Sequence, residues 1–258
     1  MNHPNIDELL AKVPDSLTAI DAKSRFSHIW KTDEPLLCKG VCFPRTTQDV
    51  STIMQWCYKH LQEVVVHGGL TNLVGGTQTK PDQLVISLEK MNAIDPVDTK
   101  NRTIAAQAGA VLENVLDAAQ QEQLFLPLSF GARGSAQVGG IISTNAGGLR
   151  VFRYGMTRNW VLGLEVVLPD GTIIENLKSL RKDNSGIDLK QLFIGAEGIL
   201  GVVTKAVFRL VEQPKTRFSV MLTMDNYAKV LHCLRYFDQV WARVSLVSNC
   251  CGTTPIKL

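Results

Sequence analysis

A glycine-rich loop directly after a short apolar strand is the feature that most constrains this chain. The strand is Glu63–Val66, and the loop from His67 to Gly76 reads His-Gly-Gly-Leu-Thr-Asn-Leu-Val-Gly-Gly. Its four glycines let the backbone approach a ligand closely and turn amides toward an anion, with no acidic residue among them. A tight turn that needs left-handed backbone explains the glycines equally well. Thr71 and Asn72 favour binding, because their side chains can donate hydrogen bonds to phosphate oxygens.

Two more glycine-dense stretches follow, at residues 131–148 and 195–201. A small-residue helix packed against a neighbour is the alternative for the second stretch, but each glycine costs about 1 kcal/mol in a helix interior. The third stretch, taken alone, is equally typical of an ordinary loop. The first loop lacks the Gly-Lys-Ser/Thr of a Walker A motif and the spacing of a Rossmann fingerprint. Three separated loops indicate one long, multiply charged ligand, and a dinucleotide is the candidate.

The first part of the chain predicts a β-α-β unit. Lys39–Phe43 is typical of a strand, and Thr46 with Asp49 has the spacing of a helix capping box. The apolar positions that follow at helical spacing are Val50, Ile53, Met54, Cys57 and Leu61. Glu63–Val66 is β-branched without alternation, as expected for a strand buried on both faces.

The later part of the chain predicts mainly antiparallel strands. The predicted elements are strands at Leu84–Leu88 and Thr103–Ala106, a helix over Val111–Ala119, a hairpin of Val161–Leu168 and Thr172–Glu175 around Pro169-Asp170-Gly171, and a strand at Val202–Val211. In the hairpin, Leu162, Leu164, Val166 and Leu168 are predicted to share one face. The fold class is therefore α+β: two small α/β subdomains, with a β-α-β unit followed by a mainly antiparallel sheet with helices.

Composition excludes several function classes. Of the 258 residues, 45% are hydrophobic and 20% charged, and the net charge of +3 is too small to imply nucleic acid. No apolar run reaches the ~18 residues of a transmembrane helix. The six cysteines form no C-x-x-C pair and no metal-ligand spacing with histidine, so no metal site is predicted. Reduced thiols and the lack of a secretory signal predict a cytoplasmic protein.

Five segments together resemble the FAD-binding domain of the vanillyl-alcohol-oxidase (PCMH-type) flavoprotein superfamily, over roughly residues 36–215. The segments are HGGLTNLVGG, GARGSAQVGGIISTNAGG, RYG at Arg153–Gly155, LEVVLPDG and GAEGILGVVT. Leu180–Gly195 and NAGGLRVFRYG are similar to the D-2-hydroxyglutarate dehydrogenase branch, whose near relatives are D-lactate dehydrogenase and glycolate oxidase subunits. The resemblance implies a lead-in at 1–35, a FAD-binding domain at 36–215 and the start of a substrate (cap) domain at 216–258.

The resemblance also implies how FAD is held. The cofactor-binding residues it implies are Gly68, Gly69, Leu70, Thr71, Asn72, Gly75, Pro127, Gly131, Ala132, Ser135, Gly139, Gly140, Asn145, Glu197, Gly198 and Val203. Some relatives attach FAD covalently through a histidine after the glycine pair. Leu70 occupies that position here, which predicts non-covalent FAD and a local packing or hydrogen-bonding role for His67. Arg150 and Arg153 are candidates to pair with a substrate carboxylate, although surface ion pairs that hold the loop explain them slightly better.

In the resembling enzymes, a D-2-hydroxy acid such as D-2-hydroxyglutarate or D-lactate gives a hydride to flavin N5 and becomes the 2-oxo acid. Electrons then pass to electron-transfer flavoprotein or a quinone. The family's substrate domain carries an HxxGDGNxH metal motif, which these 258 residues lack. We therefore expect a truncated or split enzyme whose catalytic residues are not in this chain. A FAD-binding remnant or subunit without independent catalysis is the alternative, as is a branch related to alkyl-dihydroxyacetone-phosphate synthase or a UDP-sugar reductase. Two assemblies are possible on this interpretation: a homodimer, or a complex in which another chain supplies the C-terminal half.

Overall fold

The computed structural model describes residues 8–9, 12, 18–19, 25–30, 35–216 and 221–240. In chain order its strands are β1 (Thr18–Ala19), β2 (Gly40–Cys42), β3 (Val64–His67), β4 (Leu84–Ser87), β5 (Thr103–Gln107), β6 (Leu124–Phe125), β7 (Val161–Val167), β8 (Ile173–Asn176), β9 (Val202–Arg209) and β10 (Val211–Glu212). Its α-helices are α1 (Thr47–His60), α2 (Leu112–Gln121), α3 (Val138–Ser143), α4 (Val151–Tyr154), α5 (Lys190–Phe193) and α6 (Tyr227–Val240). Short 3-10 helices lie at Leu88–Lys90, Gly131–Gly134 and Thr157–Asn159.

The first sheet confirms the predicted β-α-β unit. Its strand order is β1-β2-β4-β3, in which β2, β4 and β3 run parallel and β1 is antiparallel. Helix α1 begins at the predicted capping box, where the Thr46 hydroxyl accepts from the Asp49 amide and the Asp49 carboxylate accepts from the Thr46 amide. The predicted apolar face of α1 is buried except at Leu61, which ends the helix in left-handed backbone and is exposed.

The prediction that Glu63–Val66 is buried on both faces is wrong. This segment forms β3, which lies at the edge of the sheet with β4 as its neighbour, and its three valines are half-buried. The strands buried along their whole lengths are β2 and β4, which both have a neighbour on each side. Burial of a parallel strand depends on neighbours on both sides, and the sequence of one strand does not reveal its place in the sheet.

The second sheet is antiparallel throughout, with strand order β5-β9-β7-β8. It confirms the predicted hairpin of β7 and β8. Leu164 and Val166 are buried in one core with Leu168 packed against it, as the predicted alternation requires. Leu162 departs from the prediction, because a register shift against β9 occurs between Val161 and Gly163. As a result Val161 is buried and Leu162 half-buried. A β-bulge changes which face a side chain reaches.

The two sheets are joined through α1. The Ser51 hydroxyl donates to the Gly171 carbonyl at 2.6 Å, in the turn between β7 and β8. The Glu165 carboxylate accepts from Thr47 of α1 at 2.5 Å and from Thr204 of β9 at 2.8 Å. These bonds hold α1 against the second sheet. The first glycine loop follows β3, and the third glycine stretch precedes β9.

Candidate cofactor-binding site

The first glycine loop lies backbone to backbone against the second glycine stretch. A Cβ atom on Gly69 would be 2.0 Å from the Ser135 carbonyl oxygen, so only glycine allows this approach. A Cβ on Gly68 would be 3.6 Å from Gln137 Oε1 and 3.7 Å from the Gly140 amide nitrogen. Gln137 Oε1 is buried and, within the described residues, has no hydrogen-bond partner. The loop after β3 is therefore seated against the start of α3.

The third glycine stretch completes the cluster. The Glu197 amide donates to the Ser143 carbonyl at 2.8 Å, and the Gly195 amide donates to the Ile142 carbonyl at 3.1 Å, so this loop lies on the end of α3. Glu197 has left-handed backbone with φ 51°. Its carboxylate oxygen lies 3.8 Å from where a Cβ on Gly76 would be. The structure thus brings together the three loops that the sequence singled out.

Unpaired amides and unfilled space meet in this cluster. Across the described ranges, the amides of Gly69, Leu70, Thr71 and Gly140 make no hydrogen bond to another group of the chain. A Cβ built on Gly140, Gly131 or Gly198 would meet nothing within 4 Å. Backbone donors with no partner, beside open space as at Gly140, suit a diphosphate, because its oxygens only accept hydrogen bonds. The residues present therefore fit a dinucleotide.

Side chains hold the first loop in shape. Asn72 Nδ2 donates to the Thr77 hydroxyl at 2.8 Å, and Asn72 Oδ1 accepts from the amides of Val74 and Gly76 at 3.3 and 3.2 Å. Both ends of the Asn72 amide are therefore engaged inside the loop. Asn72 organises the turn in this structure, as asparagine commonly does by bonding to the backbone a few residues on.

His67 is the last residue of β3 rather than a loop residue, and it makes the predicted local hydrogen bond. Its ring is buried, with Nε2 2.9 Å from the Thr77 carbonyl oxygen. Burial lowers the pKa of His67 to about 4, since a charged imidazole would lose its hydration there. The neutral ring therefore ties the end of β3 to the far end of the loop.

The alternative that the second stretch is a small-residue helix packed closely against a neighbour is correct in part. Gly139 lies in α3, and a Cβ on it would be 2.8 Å from Ala108 Cβ. Gly148 has the same kind of role, because its Cβ would be 1.9 Å from the Ser129 carbonyl oxygen. These two glycines permit close packing of the backbone, which outweighs their cost in a helix or turn. Gly140, next in α3, has open space instead.

Arg158 links the second and third stretches, and the sequence analysis missed it. Its backbone amide donates to Asn145 Oδ1 at 3.0 Å, and its guanidinium donates to Gln191 Oε1 at 2.8 Å and to the Ile194 carbonyl at 2.9 Å. Asn145 itself has left-handed backbone, with φ 47°. A lone arginine between two motifs carries no sequence signal for such a role.

The remaining predicted residues occupy varied positions. The Arg150 guanidinium lies 4.6 Å from the centre of the Phe125 ring, and that of Arg153 lies 6.0 Å from the Tyr154 ring. Val203 is buried in the core of the second sheet. The others are placed as follows: Pro127 is buried, Gly75 has φ 76°, and the Ala132 carbonyl accepts from the Ser135 amide at 2.9 Å.

The structure also bears on thiol reactivity, metal binding and membrane-spanning helices. Burial raises the pKa of the Cys42 and Cys57 thiols to about 12, so they are protonated and poor nucleophiles. Within the described residues, no three histidine, cysteine, aspartate or glutamate side chains group as metal ligands would. Nor does any helix in those ranges have the length and apolarity to cross a bilayer.

Comparison with known proteins agrees with this geometry. D-2-hydroxyglutarate dehydrogenase, mitochondrial, of Bos taurus is 44% identical over 192 residues, covering 74% of this chain and 35% of the relative. D-2-hydroxyglutarate dehydrogenase of Stutzerimonas stutzeri is 36% identical over 235 residues, covering 90% of this chain and 51% of the relative. The chain thus spans a third to a half of the length of these curated relatives.

The fold is also similar to that of solved structures. A structure of alkyldihydroxyacetonephosphate synthase superposes with a TM-score of 0.70 at 20% identity, covering 83% of this chain and 42% of that one. The family model described as "FAD binding domain" matches residues 38–176, more than half of the chain. The chain therefore belongs to the FAD binding domain family, with a PCMH-type fold and FAD as its cofactor.

Proposed function

We propose that this chain is the FAD-binding part of an enzyme that oxidises a D-2-hydroxy acid, such as D-2-hydroxyglutarate or D-lactate, to the 2-oxo acid. The observation that carries the proposal is the loop cluster, in which four amides without a hydrogen-bond partner among the described residues lie near left-handed turns, with open space at Gly140. The names of the relatives, together with identities of 36–44%, supply the substrate class.

When bound, FAD supplies the redox chemistry as the acceptor of the substrate's hydride. The chain's own contribution is to bind and orient it. The amides of Gly69, Leu70, Thr71 and Gly140 bind the diphosphate as preorganised donors that need no rearrangement. The rest of the predicted set lines the other sides: Gly68, Asn72, Gly75, Pro127, Gly131, Ala132, Ser135, Gly139, Asn145, Glu197, Gly198 and Val203.

FAD is held without a covalent bond in this proposal. Leu70 follows the glycine pair and offers no nucleophile, and the Nε2 atom of His67 lies against the Thr77 carbonyl. Acid precipitation of the holoprotein should therefore release all of the flavin into the supernatant. Flavin retained on the precipitated chain would contradict this part of the proposal.

The substrate carboxylate is assigned to Arg150 and Arg153, whose guanidinium groups suit planar carboxylates. The cation–π contact of Arg150 with Phe125 supports the alternative that these arginines hold the loop. Replacing each arginine by lysine separates the two roles. A substrate-binding arginine raises KM with FAD affinity unchanged, whereas a loop-holding arginine weakens FAD affinity.

Electron acceptor, assembly and compartment are proposed more broadly. The proposed electron acceptor is electron-transfer flavoprotein or a quinone. The proposed source of the catalytic groups is a C-terminal half in another chain, and a homodimer is the other assembly proposed. A cytoplasmic location is the prediction from composition, whereas the name of the bovine relative, which is mitochondrial, favours the mitochondrion. Fractionation of cells that express the tagged chain distinguishes the two.

Anaerobic titration of the purified chain, reconstituted with FAD, tests the proposal. Bleaching of the flavin absorbance by D-2-hydroxyglutarate or D-lactate, and not by the L-enantiomers, is the expected result when the chain that supplies the catalytic groups is also present. A yellow protein that neither substrate bleaches would support the alternative of a FAD-binding remnant or subunit, which the partial coverage of the relatives favours. Bleaching by NADPH would point to a reductase, and a colourless protein would contradict every version.

A further inference from the structure

Residues 25–30, here termed the N-terminal strap, lie against the first glycine loop. The Ile29 amide donates to the Leu70 carbonyl at 3.1 Å, and the Thr77 hydroxyl donates to the Ser27 carbonyl at 2.6 Å. The family model begins only at residue 38, and the sequence analysis placed these residues in a lead-in. The strap nevertheless contacts the loop that presents the unpaired amides.

The strap is anchored to the first sheet. Arg25 pairs with Glu89 at 2.6 Å, and its guanidinium lies 4.8 Å from the centre of the Phe43 ring. The Arg25 carbonyl accepts from the Leu36 amide at 2.7 Å. Burial alone would raise the pKa of Glu89, but the hydrogen bond and charge of Arg25 outweigh it and lower that pKa. The strap is thus fixed where it approaches the loop.

The strap sets the orientation of one peptide group in the loop. In a trans peptide the carbonyl of residue i and the N–H of residue i+1 point in opposite directions, and the described residues contain no cis peptide. Because Ile29 holds the Leu70 carbonyl, the N–H of Thr71 points away from the strap. Leu70 has left-handed backbone with φ 55°, which this hydrogen bond helps to hold.

Thr77 connects the strap to the rest of the loop. Its hydroxyl accepts from Asn72 Nδ2 at 2.8 Å while it donates to Ser27, and its carbonyl oxygen is 2.9 Å from His67 Nε2. One threonine therefore joins the end of β3, the middle of the loop and the strap. Among the described residues, no other residue contacts the end of β3, the middle of the loop and the strap together.

We infer that Thr77 is a positioning residue of the FAD site, which acts with the strap to aim the amide of Thr71 at the cofactor's diphosphate. The inference rests on the proposed binding of the diphosphate by this loop. The strap would then be part of the cofactor-binding unit, although it lies outside the segment that the family model matches.

A matched set of variants tests the inference. Thr77→Val keeps the shape of the side chain but removes two hydrogen bonds, and Thr77→Ser restores the hydroxyl. Thr79→Val is the control, because the Thr79 hydroxyl donates to the Leu37 carbonyl at 2.5 Å without contacting the loop's asparagine. The readouts are the Kd for FAD, by quenching of flavin fluorescence, and the melting temperature of the FAD-free chain.

We expect Thr77→Val to raise the Kd for FAD about tenfold. The free energy of the two lost hydrogen bonds together is comparable to the free energy that corresponds to a tenfold change in Kd. Thr77→Ser and Thr79→Val should stay within about twofold of the unaltered chain, and both valine variants should lose similar thermal stability. Equal FAD affinity for Thr77→Val and Thr79→Val would overturn the inference.

A second variant covers the case in which Thr77→Val does not fold. Ile29→Pro removes the amide that holds the Leu70 carbonyl, and it should speed the release of FAD from the holoprotein several-fold. Unchanged release from a folded Ile29→Pro chain would also overturn the inference. If the unaltered chain takes up no FAD, the proposed function fails and the inference fails with it. Uptake by the unaltered chain with no effect of either substitution overturns the inference alone.

Discussion

The first glycine loop, residues 67–76, and the second glycine stretch, residues 131–148, are both rich in glycine but are held in different ways. Side chains hold the first loop, through hydrogen bonds of His67, Asn72 and Thr77. Close backbone contacts hold the second, because a side chain on Gly139 or Gly148 would overlap its neighbours. Glycine content therefore identifies where the backbone comes close to something, but not whether that is a ligand or the protein itself.

The difference has an energetic consequence. A hydrogen bond that is lost from a half-exposed loop is partly replaced by water. An overlap between a side chain and a buried carbonyl has no such remedy, because packed interiors yield little. Substitutions that create such an overlap, at Gly139 and Gly148 and at Gly69 of the first loop, should thus affect the whole fold, whereas loss of a side-chain hydrogen bond within the first loop should act locally.

The largest expected effect is that of Gly148→Ala. Its Cβ would lie 1.9 Å from the Ser129 carbonyl oxygen, so we expect the free energy of unfolding to fall by about 3 kcal/mol. Gly131→Ala is the matched control, with no atom within 4 Å of its Cβ, and should change that free energy by less than about 0.5 kcal/mol. Urea denaturation of both variants measures the difference. Equal stabilities would mean that close backbone contact at Gly148 does not hold the second glycine stretch.

His67 provides a test of how the first loop is held, because its contribution to stability depends on pH. The unfolded chain binds a proton at this residue below its ordinary pKa of 6.5, whereas the folded chain does so only below about 4. Stability is therefore complete above pH 6.5 and falls as the pH drops from 6.5 to about 4, by about 3 kcal/mol at most. His67→Gln keeps a hydrogen-bond donor that does not titrate. Denaturation curves across this range should show the His67 contribution missing in that variant, and the same pH dependence in both proteins would contradict it.

Arg158 tests the junction between the second and third stretches. Arg158→Met retains the aliphatic stem and removes the bonds to Gln191 and Ile194, which should cost about 1 to 2 kcal/mol of unfolding free energy. Arg158→Lys should recover part of this loss. A methionine variant as stable as the unaltered chain would mean that the third loop is held by its backbone bonds to α3 alone.

Much of the architecture could be predicted from the sequence because local signals and tertiary structure agree there. The capping box at Thr46, the turn at Asp170–Gly171 and the β-α-β order all appear as predicted. The edge position of β3 and the bulge in β7 at Leu162 could not be predicted, since both depend on which strands become neighbours. Pairing register is a property of two segments, and periodicity describes only one.

The candidate site was predictable in its main chain but not in its supports. Glycine-rich motifs mark the loops directly, and the structure brings all three together. Thr77 contacts Ser27 of the strap, 50 residues away in the chain, and Arg158 contacts Asn145, 13 residues away. Single polar residues between motifs have no spacing or composition that distinguishes them from ordinary surface residues.

The central claim is that unpaired amides of these loops bind the diphosphate of FAD, and Gly140→Ala tests it most directly. Its Cβ meets nothing within 4 Å, and alanine favours a helix by up to about 1 kcal/mol over glycine, so the FAD-free chain should be as stable as before or slightly more stable. The added methyl group would occupy the space beside the Gly140 amide. The account predicts that FAD affinity, measured by titration, falls at least about tenfold, a loss of about 1.4 kcal/mol. Unchanged FAD affinity in this stably folded variant would contradict it.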